Sequence, residues 1–144
     1  MAKKKLTKGT PGFDFHSIKT VEDAFQKCGH NIQKLEDLSM IPEKYRNSLM
    51  CAFILMVVFD AINDGWEPDF SNQNEARYYP WPWVLSSGFG FSLSLYSCDY
   101  TAASVGSRLC TNTSEKAVYI LEQFPDLWKA WLLGIKNEIK FGVE

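Results

Sequence analysis

The sequence predicts an α+β fold: a long central buried helix and C-terminal helices packed on a small antiparallel sheet of about three strands. Three observations carry that expectation. The run Leu49 to Phe59 is apolar almost without interruption and has the length of a helix rather than a strand. Past Gly65 the pattern changes to short runs with period two. From Asn112 the i, i+3, i+4 spacing of a helix returns.

Taken in chain order, residues 1–17 read as a flexible basic arm. It carries Lys3, Lys4, Lys5 and Lys8, followed by Gly9, Pro11 and Gly12. Residues 18–144 read as one α+β domain. Thr20 is a fair N-cap with Asp23 three positions on, and Gly29 is a natural stop, so a short helix is expected over 21–28. The central helix is expected from about Ile41-Pro42 to Asn63, because proline suits a first helical turn and Asn63-Asp64-Gly65 ends one. Its first half is amphipathic, with Tyr45, Leu49, Ala52 and Phe53 on a face opposite Glu43, Arg46 and Asn47. Its second half is apolar all round and must be covered on most sides.

Three strand-like runs follow. Arg77 to Leu85 carries Pro80 and Pro82 and fits only an edge or irregular strand. Phe89, Phe91, Leu93 and Leu95 alternate with small or polar residues, and so do Val105, Ser107 and Leu109. Residues 97–103 would close a hairpin between these two runs. Asn112-Thr-Ser-Glu115 reads as a capping box. The helical pattern behind it contains Pro125, which either kinks one long helix or opens a second.

Composition excludes several classes. The chain has 144 residues, 46% hydrophobic and 22% charged, which is the balance of a globular domain and not of a disordered one. A net charge of −2 argues against a protein that wraps nucleic acid with its whole surface. The basic N-terminus lacks the apolar stretch of a secretory signal. The apolar run Leu49 to Phe59 is shorter than the ~20 residues a membrane span needs, so no membrane is expected as partner. Cys28, Cys51, Cys98 and Cys110 show no CxxC pairing and read as reduced thiols, although Cys98 and Cys110 could face each other across a hairpin. A cytoplasmic setting follows.

Catalytic machinery is hard to assemble. His16 and His30 are the two histidines, and neither stands at metal-ligand spacing. No phosphate loop, dinucleotide fingerprint or nucleophile elbow is present. Pro68-Asp69 with Glu75 and Arg77 faintly echoes a metal-dependent nuclease; the plainer reading has Asp69 capping a turn and the other two solvated. Gly88-Phe-Gly-Phe91 matches part of an RNA-recognition strand, in which exposed aromatics stack on bases. Leu93 and Leu95 continue the same face, which favours a half-buried strand instead. The most unusual feature is aromatic: Trp66, Phe70, Tyr78, Tyr79, Trp81 and Trp83 lie close together among prolines. Rings of this kind make a sticky contact surface when they are not buried.

From Ile18 onward several blocks act jointly as a signature. They are Ile18-Lys-Thr-Val-Glu-Asp-Ala24, Gly65-Trp-Glu-Pro-Asp-Phe70, Tyr78-Tyr-Pro-Trp81, Ser87-Gly-Phe-Gly-Phe-Ser92 and Val105-Gly-Ser-Arg-Leu-Cys110, with Glu115-Lys-Ala and Asp126-Leu-Trp-Lys129. On these the chain resembles a family of small proteins from Bacteroides-type gut bacteria and the phages and prophages they carry, departing from it at Pro82, Thr111-Asn-Thr113 and Pro125. The resemblance implies a mobile-element context, no assigned activity and no catalytic residues.

The expectation is therefore a non-enzymatic phage or prophage-type protein that acts through a protein partner or through self-association, as a virion-associated part or an accessory factor. It would work in the host cytoplasm or in the virion, without cofactor or metal. The expected contact residues are Trp66, Tyr78, Tyr79, Trp81, Trp83 and Arg108. The alternative is a single-stranded nucleic-acid binder using Phe89, Phe91 and the lysines of the arm, Lys3, Lys4, Lys5 and Lys8.

Overall fold

A computed structural model describes residues 9–30, 39–72, 74–80 and 109–133, with the backbone alone at 83–85, 88–90 and 133. Four α-helices build these residues into a domain: α1 (Val21–Lys27), α2 (Glu43–Asn63), α3 (Ser114–Gln123) and α4 (Pro125–Leu133). Among the described residues, strand pairing joins β1 (Trp83–Leu85) and β2 (Gly88–Gly90). They run antiparallel with Val84 opposite Phe89. A single bridge joins Tyr78 to Thr111.

The expected α+β class is thereby corrected to a helical one. Among the described residues there is no three-stranded sheet for helices to pack on. The buried cluster is drawn from Ile18, α1, α2, α3, Phe124 and α4, so helices cover helices. The physical reason lies in the amphipathic stripes of the short helices, which all find the apolar surface of α2. The expected hairpin over 97–103, and the strand residues 91–95 and 104–108, lie outside the described residues. The described pairing instead joins the run ending at Leu85 to the start of the next one.

Local chemistry sets the helix ends. Thr20 and Asp23 form a reciprocal capping box at α1: the Asp23 amide donates to Thr20 Oγ1 at 3.1 Å and the Thr20 amide to Asp23 Oδ2 at 3.0 Å. At its other end Gly29 adopts φ +71°, the His30 amide donates to the Phe25 carbonyl and the Gly29 amide to that of Gln26. This left-handed glycine closure satisfies two carbonyls that the helix leaves open. Pro42 stands just outside α2 as its N-cap and contributes no side-chain cap. Asp64 (φ 46°) and Gly65 (φ 86°) end that helix in the left-handed region.

Thr113, not Asn112, caps α3, accepting from the Lys116 amide at 3.3 Å. The third helical position is then Lys116, so the reciprocal carboxylate of the expected box is missing; Asn112 Oδ1 accepts from Lys116 Nζ instead. Pro125 separates two helices by opening α4, where its missing N–H is no loss. Trp128 Nε1 still reaches back to the Ile120 carbonyl at 3.4 Å, which holds α4 against α3.

Around α2, Phe25 of α1 meets Phe53 edge-on at 6.0 Å, and Trp128 of α4 meets Phe59 at 6.1 Å. By length and composition α2 could cross a membrane. Nine of its residues, from Cys51 to Asn63, are nevertheless buried in the domain. The described part of the expected arm, 9–17, is held at several points. Tyr119 of α3 donates to the carbonyls of Ile18 and His16, at 2.7 and 3.1 Å. Asp64 takes hydrogen bonds from the Thr10 amide and from Thr10 Oγ1 at 2.8 Å.

Candidate interaction surface

The aromatic region after α2 is more closed than its composition suggests. The Trp66 amide donates to the Asn63 carbonyl at 3.0 Å, and the ring is half-buried. Tyr78 exchanges two backbone hydrogen bonds with the fully buried Thr111, at 3.0 and 2.9 Å. Tyr79 is half-buried, and its hydroxyl is buried with no hydrogen-bond partner among the described residues. Trp81 and Arg108 lie outside the described residues, as does the side chain of Trp83. The structure thus leaves Trp66, Tyr78 and Tyr79 each half-buried, with Trp66 tied by its amide to the end of α2 and Tyr78 by its backbone to Thr111. Among the described residues of this stretch, the exposed ring is that of Phe70.

Asp69, Glu75 and Arg77 come together, but not as a metal site. Arg77 is 7% exposed. Its guanidinium donates to the carbonyls of Asp69 and Asn72 at 3.0 and 3.2 Å, pairs with Glu75 and lies over the Phe70 ring. Asp69 Oδ1 accepts from the amide and hydroxyl of Ser71, as a turn-capping aspartate does. The expectation of a solvated Arg77 is corrected: it is the buried strut of the loop. Among the described residues no group of three or more His, Cys, Asp or Glu could hold a metal. Burial pushes the Cys51 and Cys110 thiols up to about 11, which leaves them protonated near neutral pH.

For the alternative site, Phe89 lies in β2, while its side chain and all of Lys3, Lys4, Lys5, Lys8 and Phe91 lie outside the described residues.

A different surface stands out on α2. Tyr45, Leu49, Phe53 and Met56 are 50%, 49%, 43% and 39% exposed. At 100° per residue they fall within an arc of roughly 80°, which Asp60 extends by one more turn. Asp60 is exposed too, and Lys44 Nζ lies over the Tyr45 ring at 4.7 Å. The stripe is therefore apolar along its length, with a cation at one end and an anion at the other. Met40, 89% exposed, precedes the helix at the cationic end.

Sequence reasoning grouped Tyr45, Leu49, Ala52 and Phe53 on one face of an amphipathic first half and did not name that face as a contact surface. The signal it passed over is one of length. A helix of 21 residues is about 31 Å long. Among the described residues its helical neighbours span 7, 10 and 9 residues, and they leave the side that carries Tyr45, Leu49, Phe53 and Met56 exposed.

Compared with protein-family models, with curated proteins and with solved structures, the chain shows no match to any of them.

Proposed function

We propose that this chain is a non-enzymatic interaction domain that works by self-association through the exposed face of α2. The observation that carries the reading is the continuous stripe Tyr45, Leu49, Phe53 and Met56. Four large apolar side chains in a row, left in water beside a filled core, mark a contact face more often than an idle surface. Tyrosine, phenylalanine and methionine are also enriched where proteins meet. The resemblance to phage and prophage proteins supports a setting in which small domains assemble into larger structures. The half-buried state of Trp66, Tyr78 and Tyr79 argues for moving the contact surface away from that edge and onto α2.

The test is molar mass in solution, by light scattering across a concentration series from about 5 to about 300 µM, a range that spans weak homodimers. The wild-type chain should pass from monomer to dimer. Leu49→Glu should stay monomeric throughout. A wild-type chain that remains monomeric over the whole range would remove self-association as the function.

A further inference from the structure

We infer that the α2 faces pair antiparallel about a two-fold axis at Phe53, with the Lys44–Tyr45 end of each copy against Asp60 of the other. This rests on the self-association reading and specifies its geometry. The stripe positions 45, 49, 53, 56 and 60 are nearly symmetric about their centre. Turning one helix end for end sets Phe53 on Phe53 of the second copy, Leu49 on Met56 and Tyr45 on Asp60. That self-complementarity is what an isologous contact requires.

Charge chooses between the two directions. A parallel pair would place Asp60 beside Asp60 and Lys44 beside Lys44, which is unfavourable at both ends. The antiparallel pair brings opposite charges together at both ends. The Lys44 ammonium already sits over the Tyr45 ring. A carboxylate arriving at Tyr45 would therefore meet both a phenolic hydroxyl and an ammonium. Leu49, Phe53, Met56 and Asp60 also keep the alternating four-three-four spacing with which two helices interlock side chains. Half-exposed side chains of this size present on the order of 100 Å² each. The two stripes together then bury roughly 800 Å², below the usual size of specific interfaces, so a weak and reversible dimer is expected.

The experiment combines charge exchange with cross-linking in the full chain. Lys44→Glu alone and Asp60→Lys alone should each raise the dimer dissociation constant about a hundredfold, a tenfold step for each of the two symmetry-related charge pairs that either substitution breaks. The double variant should recover the wild-type value, because the exchanged charges still meet across the antiparallel interface. Phe53→Cys should form an intermolecular disulfide within minutes under mild oxidation. A mixture of Tyr45→Cys and Asp60→Cys chains should give the mixed dimer in preference to either homodimer.

If dimers form and are broken by Leu49→Glu, but charge exchange fails to rescue and the homodimers cross-link preferentially, the antiparallel geometry is wrong while self-association through α2 stands. If wild type dimerises and Leu49→Glu has no effect, both ideas fall, because the contact lies elsewhere. Circular dichroism of each variant separates a lost interface from a lost fold: a variant that unfolds is replaced by Leu49→Gln or Phe53→Ser, judged by the same readouts.

Discussion

Phe53 and Phe59 are the same residue on the same helix, six positions apart, yet they live in different environments. Phe59 is fully buried, under the Trp128 ring. Phe53 touches Phe25 with one edge and leaves much of the other in water. The two ends of α2 differ in the same way. Its first turn has a proline outside it and no side-chain cap, and it leads into the exposed stripe. Its last turns are buried and locked by Asp64. Among the described residues, α2 thus has two kinds of surface: one face holds the domain together and another is left in water.

The largest expected effect tests the buried side. Phe59→Ala removes a ring from a packed core and leaves a cavity, which should destabilise the domain by about 3–5 kcal/mol. Urea denaturation checks this, read as a fall in the midpoint with an unchanged slope. Phe53→Ala, measured in the same way on dilute protein, should cost about 1–2 kcal/mol, since it loses one edge contact and the burial of only part of the ring. Equal losses at the two positions would erase the contrast on which the interaction surface rests.

Part of this was legible in the sequence. The capping box at Thr20 and Asp23, the glycine closure at Gly29 and the stop at Asp64-Gly65 were readable because each depends on neighbours in the chain. So was the existence of the helices, since their stripes repeat with the right period. The fold class was misread because period two in a short, small-residue run such as Gly88-Phe-Gly shows that a strand is favoured there, not how many partners it has. The exposed stripe was visible as a pattern, but its exposure depends on how much surface α1, α3 and α4 cover, which is a tertiary fact. Arg77 was missed for a similar reason. Its partners are backbone carbonyls of the loop, and no residue type announces them.

An intermediate effect tests the far end of α2. Asp64 receives the Thr10 donors and the Lys27 ammonium, the latter at 2.7 Å. Burial alone would push its carboxyl up, but Lys27 and Thr10 outweigh it and hold it below its ordinary value of 3.8. A carboxyl lowered by folding stabilises the native state above its unfolded value, and that contribution is lost as the pH falls through the folded value. Asp64→Asn keeps a residue that tolerates positive φ while removing the charge. It should cost about 1–2 kcal/mol at pH 7. The difference from wild type should shrink as the pH falls below about 4, where the carboxyl of the unfolded chain takes up its proton before the native one does. Denaturation at pH 7 and pH 3 checks both claims. A difference that stays constant would mean that Asp64 acts through backbone shape alone.

The smallest expected effect on stability is at the stripe, and it is the sharpest form of the comparison. Leu49→Glu places a carboxylate on a face that is already half in water, so in dilute protein the melting temperature should move by no more than about 0.5 kcal/mol equivalent. The same substitution inserts that charge into the centre of a paired interface, where an unpaired carboxylate is strongly disfavoured. Stability and association should therefore separate: the domain folds as before and the dimer is lost. A Leu49→Glu chain that melts far below wild type in dilute solution would show instead that Leu49 belongs to the core, and that the first half of α2 is covered just as the second half is.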